Sequence, residues 1–168
     1  MFMIVFHGSD VVVKKPILLM PKHTLDFGAG FYTTTNKKQA VNFANKVMLR
    51  NSSQTKAVSM YEIDFDKMER TLDVLKFDAP DGEWLDFIFA NRQGIYKGKQ
   101  YDVVLGAVAD DTIYRVFGLY EAELLTREET LKRLKIRKLY NQVTFCTEKA
   151  LSNLQYIGQL DIENEEGI

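Results

Sequence analysis

Residues 2–9 read Phe-Met-Ile-Val-Phe-His-Gly-Ser, and this stretch decides how the fold begins. A short, continuous apolar run predicts a strand that is buried on both faces. The strand places His7 at the end of a sheet, directly before Gly8 and Ser9. The candidate functional site therefore begins where the first predicted strand ends.

A second informative stretch, residues 26–34, reads Asp-Phe-Gly-Ala-Gly-Phe-Tyr-Thr-Thr. Gly28 and Gly30 permit backbone angles that other residues avoid, so they predict a bend before a strand. Because side chains alternate along a strand, Tyr32 then projects from the face opposite to Phe31. The stretch is not a Rossmann fingerprint, since the third glycine is missing and a strand follows. Together, the two stretches offer an imidazole, bare backbone and an aromatic ring, which suit the nicotinamide half of a dinucleotide.

Composition indicates an ordinary globular chain. Of the 168 residues, 46% are apolar and 27% are charged, which are usual proportions for a folded domain. The 22 basic and 23 acidic side chains leave a formal charge of -1, so no general attraction to polyanions is implied. We expect a single domain over residues 1–162 and a frayed acidic tail over residues 163–168.

The few cysteine and histidine residues limit the chemistry and indicate the compartment. Cys146 is the only cysteine, so an intrachain disulfide is excluded, and with only His7 and His23 there are too few soft ligands for a zinc site. No segment approaches the roughly 18 apolar residues of a membrane helix. We therefore expect a cytoplasmic protein with no metal and no membrane contact. Cys146 closes an apolar Val-Thr-Phe-Cys run, which predicts a core residue rather than a nucleophile.

The rest of the chain mixes strand and helix signals. Capping patterns at Asn36, Thr126 and Thr147 predict helix starts. Periodicity predicts strands over about residues 61–65, 72–75, 101–108 and 142–145, and helices that begin near residues 36, 83, 111, 126 and 147. Residues 17–19 predict a loop or an edge strand, because prolines flank them. In the helix over residues 83–91, apolar side chains predict core packing, and Asp86 with Arg92 predicts a surface pair.

His-Gly-Ser after the first strand, Gly-Phe-Tyr-Thr-Thr in the second and a late strand from Gln142 together resemble the ADP-ribosyltransferase superfamily, in its diphtheria-toxin-like His-Tyr-Glu branch. The likeness covers most of the chain. It implies an α+β fold, with an ADP-ribosyltransferase-like split β-sheet core and peripheral helices. Further pieces resemble a bacterial family of unknown function in that superfamily, often linked to toxin–antitoxin loci. These pieces are Trp84-Leu85-Asp86-Phe87, Asn91-Arg92, Tyr101-Asp102-Val103-Val104, Gly106, Val108-Ala109-Asp110-Asp111 and residues 142–147.

The resemblance implies a role for each matching residue. His7 would bond the adenosine-ribose hydroxyl of NAD, and the backbone of Gly8 would pair with the nicotinamide amide. Tyr32 would stack on the nicotinamide ring. His7, Tyr32 and Gln142 would form the catalytic set. The residues that bind NAD would be His7, Gly8, Ser9, Gly30, Tyr32 and Thr33.

Gln142 is a departure from the pattern, because the branch usually carries glutamate at this position. An amide can orient the nicotinamide ribose, but it cannot serve as a general base. Glu148 is an alternative carboxylate if the turn after the late strand folds back. Asp86 and Asp110 are further alternatives, and the spacing does not choose between them.

Two function classes follow from this resemblance. The first is an NAD-dependent mono-ADP-ribosyltransferase, with the toxin of a toxin–antitoxin pair as one role. The second is a catalytically weak or silent NAD-binding or protein-interaction module, which the missing glutamate favours. A basic cluster before Gln142 predicts a solvated helix face. The alternative is a surface that binds a macromolecular acceptor or an acidic antitoxin protein. Because the cluster has no interleaved aromatic residues, a protein partner fits better than a nucleic acid. The cluster contains Lys132, Arg133, Lys135, Arg137 and Lys138.

Overall fold

A computed structural model describes residues 1–18, 25–108, 111–135 and 140–163. Within them the chain forms an α+β fold with one mixed sheet, as expected. The strands are β1 (Phe2–Ser9), β2 (Phe31–Thr34), β3 (Ala57–Asp64), β4 (Val74–Lys76), β5 (Val103–Val108), β6 (Tyr140–Phe145) and β7 (Gln155–Gln159). The helices are α1 (Lys37–Arg50), α2 (Phe65–Thr71), α3 (Gly82–Arg92), α4 (Asp111–Glu121), α5 (Arg127–Lys135) and α6 (Glu148–Leu151).

The sheet has the strand order β4-β5-β6-β2-β1-β3-β7, and among the described strands only the β4–β5 pair is parallel. β1 pairs with β3 along its whole length, and β2 pairs with β6 along its whole length. In contrast, β1 and β2 pair at one position, where Phe6 lies opposite Thr34. The sheet therefore opens between β1 and β2 just before His7.

Helices cover both faces of the sheet. On the first face, α1 packs over β1 and β3, while α3, α4 and α5 pack over β5 and β6 around the fully buried Trp84. On the second face, α2 and α6 pack against a core that includes Val5, Phe31 and Val143. Because successive side chains alternate between faces, neighbouring residues of β1 and β2 belong to different cores.

The prediction that β1 is buried on both faces is wrong for its first half. Phe2 is 71% exposed and Ile4 is 45% exposed, whereas Val5 and Phe6 are buried. The difference arises because α1 covers only the later part of the strand, where Phe6 belongs to its core. An apolar run by itself does not report where a covering helix lies.

The predicted helix starts are confirmed by their hydrogen bonds. The Asn36 side chain accepts from the backbone N–H of Gln39 at 2.9 Å, and Thr147 caps α6 in the same way. Thr126 and Glu129 form a reciprocal capping box. These bonds satisfy backbone donors that the first helical turn leaves without partners.

Two elements were missed, and of the loop or edge strand predicted over residues 17–19, the loop alternative holds for the described residues 17 and 18. Phe65 begins α2 instead of ending a strand, because Asp64 caps the helix by accepting from Lys67 N–H. β7 was not predicted, and it pairs with β3 at the edge of the sheet. Residues 17 and 18 form no strand, and Leu19 lies outside the described residues. Residues 164–168 of the predicted tail also lie outside them.

Gly8 allows α1 to approach the sheet closely. A Cβ at this position would lie 2.1 Å from the carbonyl oxygen of Ala40 and 2.8 Å from the backbone nitrogen of Ala44. We therefore expect Gly8→Ala to lower the free energy of unfolding by about 2–3 kcal/mol, because the helix backbone must move away. Urea unfolding would measure this loss.

Gly118 provides the matched control, since a Cβ there would meet nothing within 4 Å. It lies inside α4, so Gly118→Ala should raise the free energy of unfolding by up to about 1 kcal/mol. Equal stability of Gly8→Ala and the unaltered protein would contradict the close packing of α1 on β1.

Candidate functional site

His7 lies where β1 and β2 separate, and its ring joins the two strands. Its Nδ1 lies 2.7 Å from the carbonyl oxygen of Tyr32. The ring also stacks on Phe31, with 4.2 Å between ring centroids. Burial lowers the pKa of His7, although the hydrogen bond to the Tyr32 carbonyl acts in the opposite direction. The imidazole is therefore neutral at pH 7, with Nδ1–H donating to the carbonyl.

The second ring nitrogen of His7 remains available. Within the described residues, Nε2 has no hydrogen-bond partner, and no side-chain nitrogen or oxygen there is both fully buried and without a partner. Nε2 is consequently not fully enclosed within the described residues. Because the proton is on Nδ1, Nε2 presents a lone pair that can accept a hydrogen bond.

The loop after β1 is held close to His7. Ser59 lies directly opposite His7 on β3, and its hydroxyl accepts from the backbone N–H of Val13 at 2.9 Å. Tyr61 donates its hydroxyl to the carbonyl of Val13. The described part of this loop therefore lies beside the face of the sheet that carries the imidazole.

Tyr32 is fixed at its hydroxyl by the bend that precedes β2. The phenol oxygen accepts from Phe27 N–H at 3.0 Å and donates to the carbonyl of Gly28 at 2.5 Å. Its half-buried side chain packs against the core formed by α3, α4 and α5. The bend predicted from the glycines is confirmed at Gly28, where φ is +79°.

Gln142 lies on β6 in a polar row that crosses the sheet. Thr34 lies opposite Gln142, and Tyr32 lies opposite Thr144, so all four side chains share the first face. Gln142 is 9% exposed, and its amide donates to Thr144 Oγ1 at 3.1 Å. The row lies between the core under α1 and the core under α3, α4 and α5.

Thr34, Thr144 and Gln39 belong to this row, and sequence reasoning missed them. The Thr34 hydroxyl lies 2.6 Å from Gln39 Oε1, which connects the row to α1. The available signal was the period of two, because Thr34 and Thr144 stand two residues from Tyr32 and Gln142. That signal could not show that Tyr32, Thr34, Gln142 and Thr144 are neighbours, because the register between β2 and β6 is not visible in the sequence.

The structure brings the predicted catalytic residues together only in part. Tyr32 and Gln142 are diagonal neighbours on one face, a position that typically separates side chains by about 7–8 Å. His7 belongs to the other face, with Phe31. The imidazole meets the backbone of Tyr32 and not its ring. A ligand that contacts all three side chains would therefore have to reach both faces of the sheet.

The remaining predicted NAD-binding residues all have structural partners. Gly8 contacts α1, and a Cβ at Gly30 would lie 2.7 Å from Thr144 Cγ2. The Thr33 hydroxyl donates to the carbonyl of Val143 at 2.7 Å, and the Ser9 hydroxyl donates to Asp10 at 3.3 Å. Their predicted contacts with NAD remain predictions, and Thr33 is the least accessible because it is buried.

Neither Glu148 nor Asp86, two of the three alternative carboxylates, has a contact with Gln142. Glu148 begins α6, whose buried residues pack on the second face, whereas Gln142 lies on the first. Asp86 forms a two-point ion pair with Arg127, with its nearest contact at 2.8 Å. The predicted surface pair between Asp86 and Arg92 is therefore wrong. Asp110 lies outside the described residues.

Cys146 and the basic cluster add no chemistry to this site. Burial raises the pKa of Cys146 to about 12, so the thiol is protonated at pH 7 and is no nucleophile. Lys132 pairs with Glu128 one helical turn away at 2.9 Å, as a solvated helix face does. Arg133 is exposed, and Arg137 and Lys138 lie outside the described residues.

The fold and the site define an α+β protein whose sheet, seven-stranded over the described residues, opens at a histidine between two antiparallel strands. Residues 3–156 match the family model described as "Protein of unknown function (DUF3990)", and the chain belongs to this family. No curated protein and no solved structure matches the chain. The family description names no activity, so the resemblance to ADP-ribosyltransferases remains a prediction.

Two further features are absent from the described residues. No helix among them is both long and apolar enough to cross a membrane. Nor does this part of the chain bring together three histidine, cysteine, aspartate or glutamate side chains that could hold a metal ion.

Proposed function

We propose that the protein is an NAD-dependent mono-ADP-ribosyltransferase. It would cleave the bond between nicotinamide and ribose and transfer ADP-ribose to a macromolecular acceptor. The observation that carries the proposal is the opening of the sheet after Phe6, with His7 joining the separated strands through the carbonyl of Tyr32. In this proposal a dinucleotide would enter between the two strands, with Nε2 of His7 as an acceptor beside it.

His7 would bind the adenosine ribose. Its Nδ1–H is already committed to the Tyr32 carbonyl, and the Phe31 ring fixes the plane of the imidazole. A neutral Nε2 in this position accepts from a ribose hydroxyl with little loss of side-chain freedom. Lys14 and Lys15 follow Val13 in the adjacent loop and are exposed, which suits the diphosphate of the same ligand.

The nicotinamide half would lie towards the first face of the sheet. Tyr32 has a ring held by its hydroxyl, and an aromatic face attracts the cationic pyridinium by about 1–2 kcal/mol. Beyond Phe6, the edge of β1 that faces β2 has no strand partner in the described residues, so backbone groups near Gly8 can pair with the carboxamide.

The reaction breaks the C–N bond at the nicotinamide ribose, and the bonding electron pair leaves with neutral nicotinamide. The ribose becomes an oxocarbenium-like cation, which a nucleophile of the acceptor attacks as it loses a proton. Gln142 can orient a ribose hydroxyl through its amide, but it cannot take up that proton. The proton would pass to water or buffer, which predicts a slow enzyme.

A second candidate is an NAD-binding or protein-interaction module with little or no catalysis. The specific observation in its favour is Gln142, whose amide is nine-tenths buried and bonded to Thr144. Because the Gln142 side chain is uncharged, it can provide a binding contact but cannot stabilise the cationic intermediate as a carboxylate would.

The partner in either case is proposed to be a protein. The overall charge of -1 provides no general attraction to nucleic acid. The exposed basic side chains of α5, Lys132 and Arg133, suit an acidic protein surface, either an acceptor or an inhibitory antitoxin.

Incubation with NAD and a cell lysate tests the proposal. We expect nicotinamide release, measured by chromatography, and transfer of label from biotinylated NAD to a protein. The matched control is Tyr32→Ala with its folding checked by circular dichroism, because removal of the ring removes the stacking contact. NAD binding in calorimetry without nicotinamide release would favour the silent module. Absence of NAD binding would overturn the enzyme and the NAD-binding module, and only the protein-interaction module would remain.

A further inference from the structure

A group of three charged residues joins the bend before β2 to the ends of two helices; Asp26 is buried, and Arg92 and Glu121 are half-buried. Arg92, the last residue of α3, donates to Asp26 at 3.2 Å and to Glu121 of α4 at 3.1 Å. The guanidinium also lies 5.3 Å from the centre of the Phe117 ring. Asp26 is 8% exposed. Charges that are buried to this extent cost free energy unless they are well paired, so this arrangement requires Arg92.

Ionisation of the group depends on the same contacts. Burial raises the pKa of Asp26, and the charge of Arg92 acts against that rise. Burial also opposes the charge of Arg92, but hydrogen bonds and charges of Glu121 and Asp26 outweigh it and raise its pKa. Loss of the guanidinium would leave Asp26 without this compensation in an apolar surrounding.

The segment that follows Asp26 holds the Tyr32 hydroxyl. Phe27 donates to the phenol oxygen, and Gly28 accepts from it. Gly28 has a φ of +79°, and a Cβ there would lie 2.9 Å from Asn91 Oδ1. Two consecutive residues of α3, Asn91 and Arg92, therefore contact the segment from Asp26 to Gly28.

We propose that Arg92 is a positioning residue for Tyr32. It fixes the segment 26–28 through Asp26, and that segment sets the orientation of the phenol ring through its two hydrogen bonds to the hydroxyl. This inference rests on the proposed function in so far as the ring is oriented for NAD. The anchoring itself is a property of the protein without ligand.

Fluorine NMR of protein that contains 3-fluorotyrosine tests the anchoring without NAD. The Tyr32 resonance is assigned by its disappearance in Tyr32→Phe. In Arg92→Met, which keeps an apolar stem but removes the guanidinium, we expect this resonance to shift and broaden. Arg127→Met is the matched control, since Arg127 pairs with Asp86 on α3 and makes no contact with segment 26–28. An unchanged Tyr32 resonance in folded Arg92→Met would overturn the inference.

A double-mutant cycle tests the consequence for the ligand. We expect Arg92→Met to weaken NAD binding about 10-fold in calorimetry, and to have no further effect in a Tyr32→Leu background. Equal effects in both backgrounds would mean that Arg92 does not act through Tyr32. If Arg92→Met fails to fold, Arg92→Lys replaces it, with a weakening of about 3-fold expected. If the unaltered protein does not bind NAD, the proposed function is overturned. The fluorine resonance of Tyr32 then tests by itself whether Arg92 fixes the segment 26–28.

Discussion

Gln142→Glu is expected to raise the rate of nicotinamide release from NAD about 100-fold, the lower end of the range for an added general acid or base. Thr34 and Gly106 lie opposite position 142, and the side chain projects into the polar row on the first face. A carboxylate there would stabilise the oxocarbenium-like ribose and could accept the proton of the attacking nucleophile. The amide of the present chain does neither. Nicotinamide release at saturating NAD, followed by chromatography, is the measurement.

Gln39→Glu is the matched control for this gain. Gln39 is also a glutamine, it contacts Thr34 from α1, and its replacement adds the same charge nearby. Only the change on β6 should increase the rate. Equal rates of nicotinamide release in Gln142→Glu and Gln39→Glu would indicate a general electrostatic effect. If Gln142→Glu is folded, binds NAD and yet releases nicotinamide no faster than the unaltered chain, β6 does not carry the reaction centre.

His7→Asn is expected to weaken NAD binding about 30-fold, which corresponds to about 2 kcal/mol. The amide nitrogen of asparagine can take the place of Nδ1 and keep the bond to the Tyr32 carbonyl, but the side chain is too short to replace Nε2. The protein should therefore stay folded while it loses the acceptor for the ribose. Isothermal titration calorimetry with NAD would measure the change.

His7→Gln is the complementary variant, because its longer side chain places an amide near the position of Nε2. It should bind NAD more tightly than His7→Asn. The opposite order would show that the bond from Nδ1 to Tyr32 matters and that Nε2 does not contact the ligand.

The pH dependence of binding follows from the burial of His7. Burial lowers the pKa of the imidazole below its usual value of 6.5. Affinity that depends on a neutral Nε2 should thus stay level as the pH falls to 6.5, and decrease only at lower pH. The stability contributed by the neutral ring has the same sign: it is fully present above pH 6.5 and is lost as the pH falls through the lowered pKa.

Local patterns in the sequence were sufficient to predict most of the helices and strands. Caps at Asn36, Thr126 and Thr147 act within one helical turn, so their signals are complete in the sequence. The start of α2 was missed because Phe65 also continues the alternating pattern of β3. Only the cap at Asp64 shows that Phe65 begins a helix. β7 was missed because its stability comes from pairing with β3, which lies far away in the chain.

The candidate site was predictable as a set of residues but not as an arrangement. His7, Tyr32 and Gln142 stand out by residue type and by the ends of the strands that carry them. Their faces depend on strand register, and a register between distant strands is set by packing rather than by any local signal. The pairing of Arg92 with Asp26 was likewise hidden, since it joins residues that are 66 positions apart.

The sequence by itself determined the α+β composition, the helix caps, the bend at Gly28 and the presence of an imidazole, a phenol and an amide at strand positions. Only the tertiary structure decided that β1 and β2 separate after Phe6, that His7 lies on the opposite face from Tyr32 and Gln142, and that Arg92 supports the segment that holds Tyr32. The physical reason is the range of the interactions. Caps and turns are satisfied within a few residues, whereas sheet order, register and buried ion pairs depend on chain segments that meet only in the folded protein.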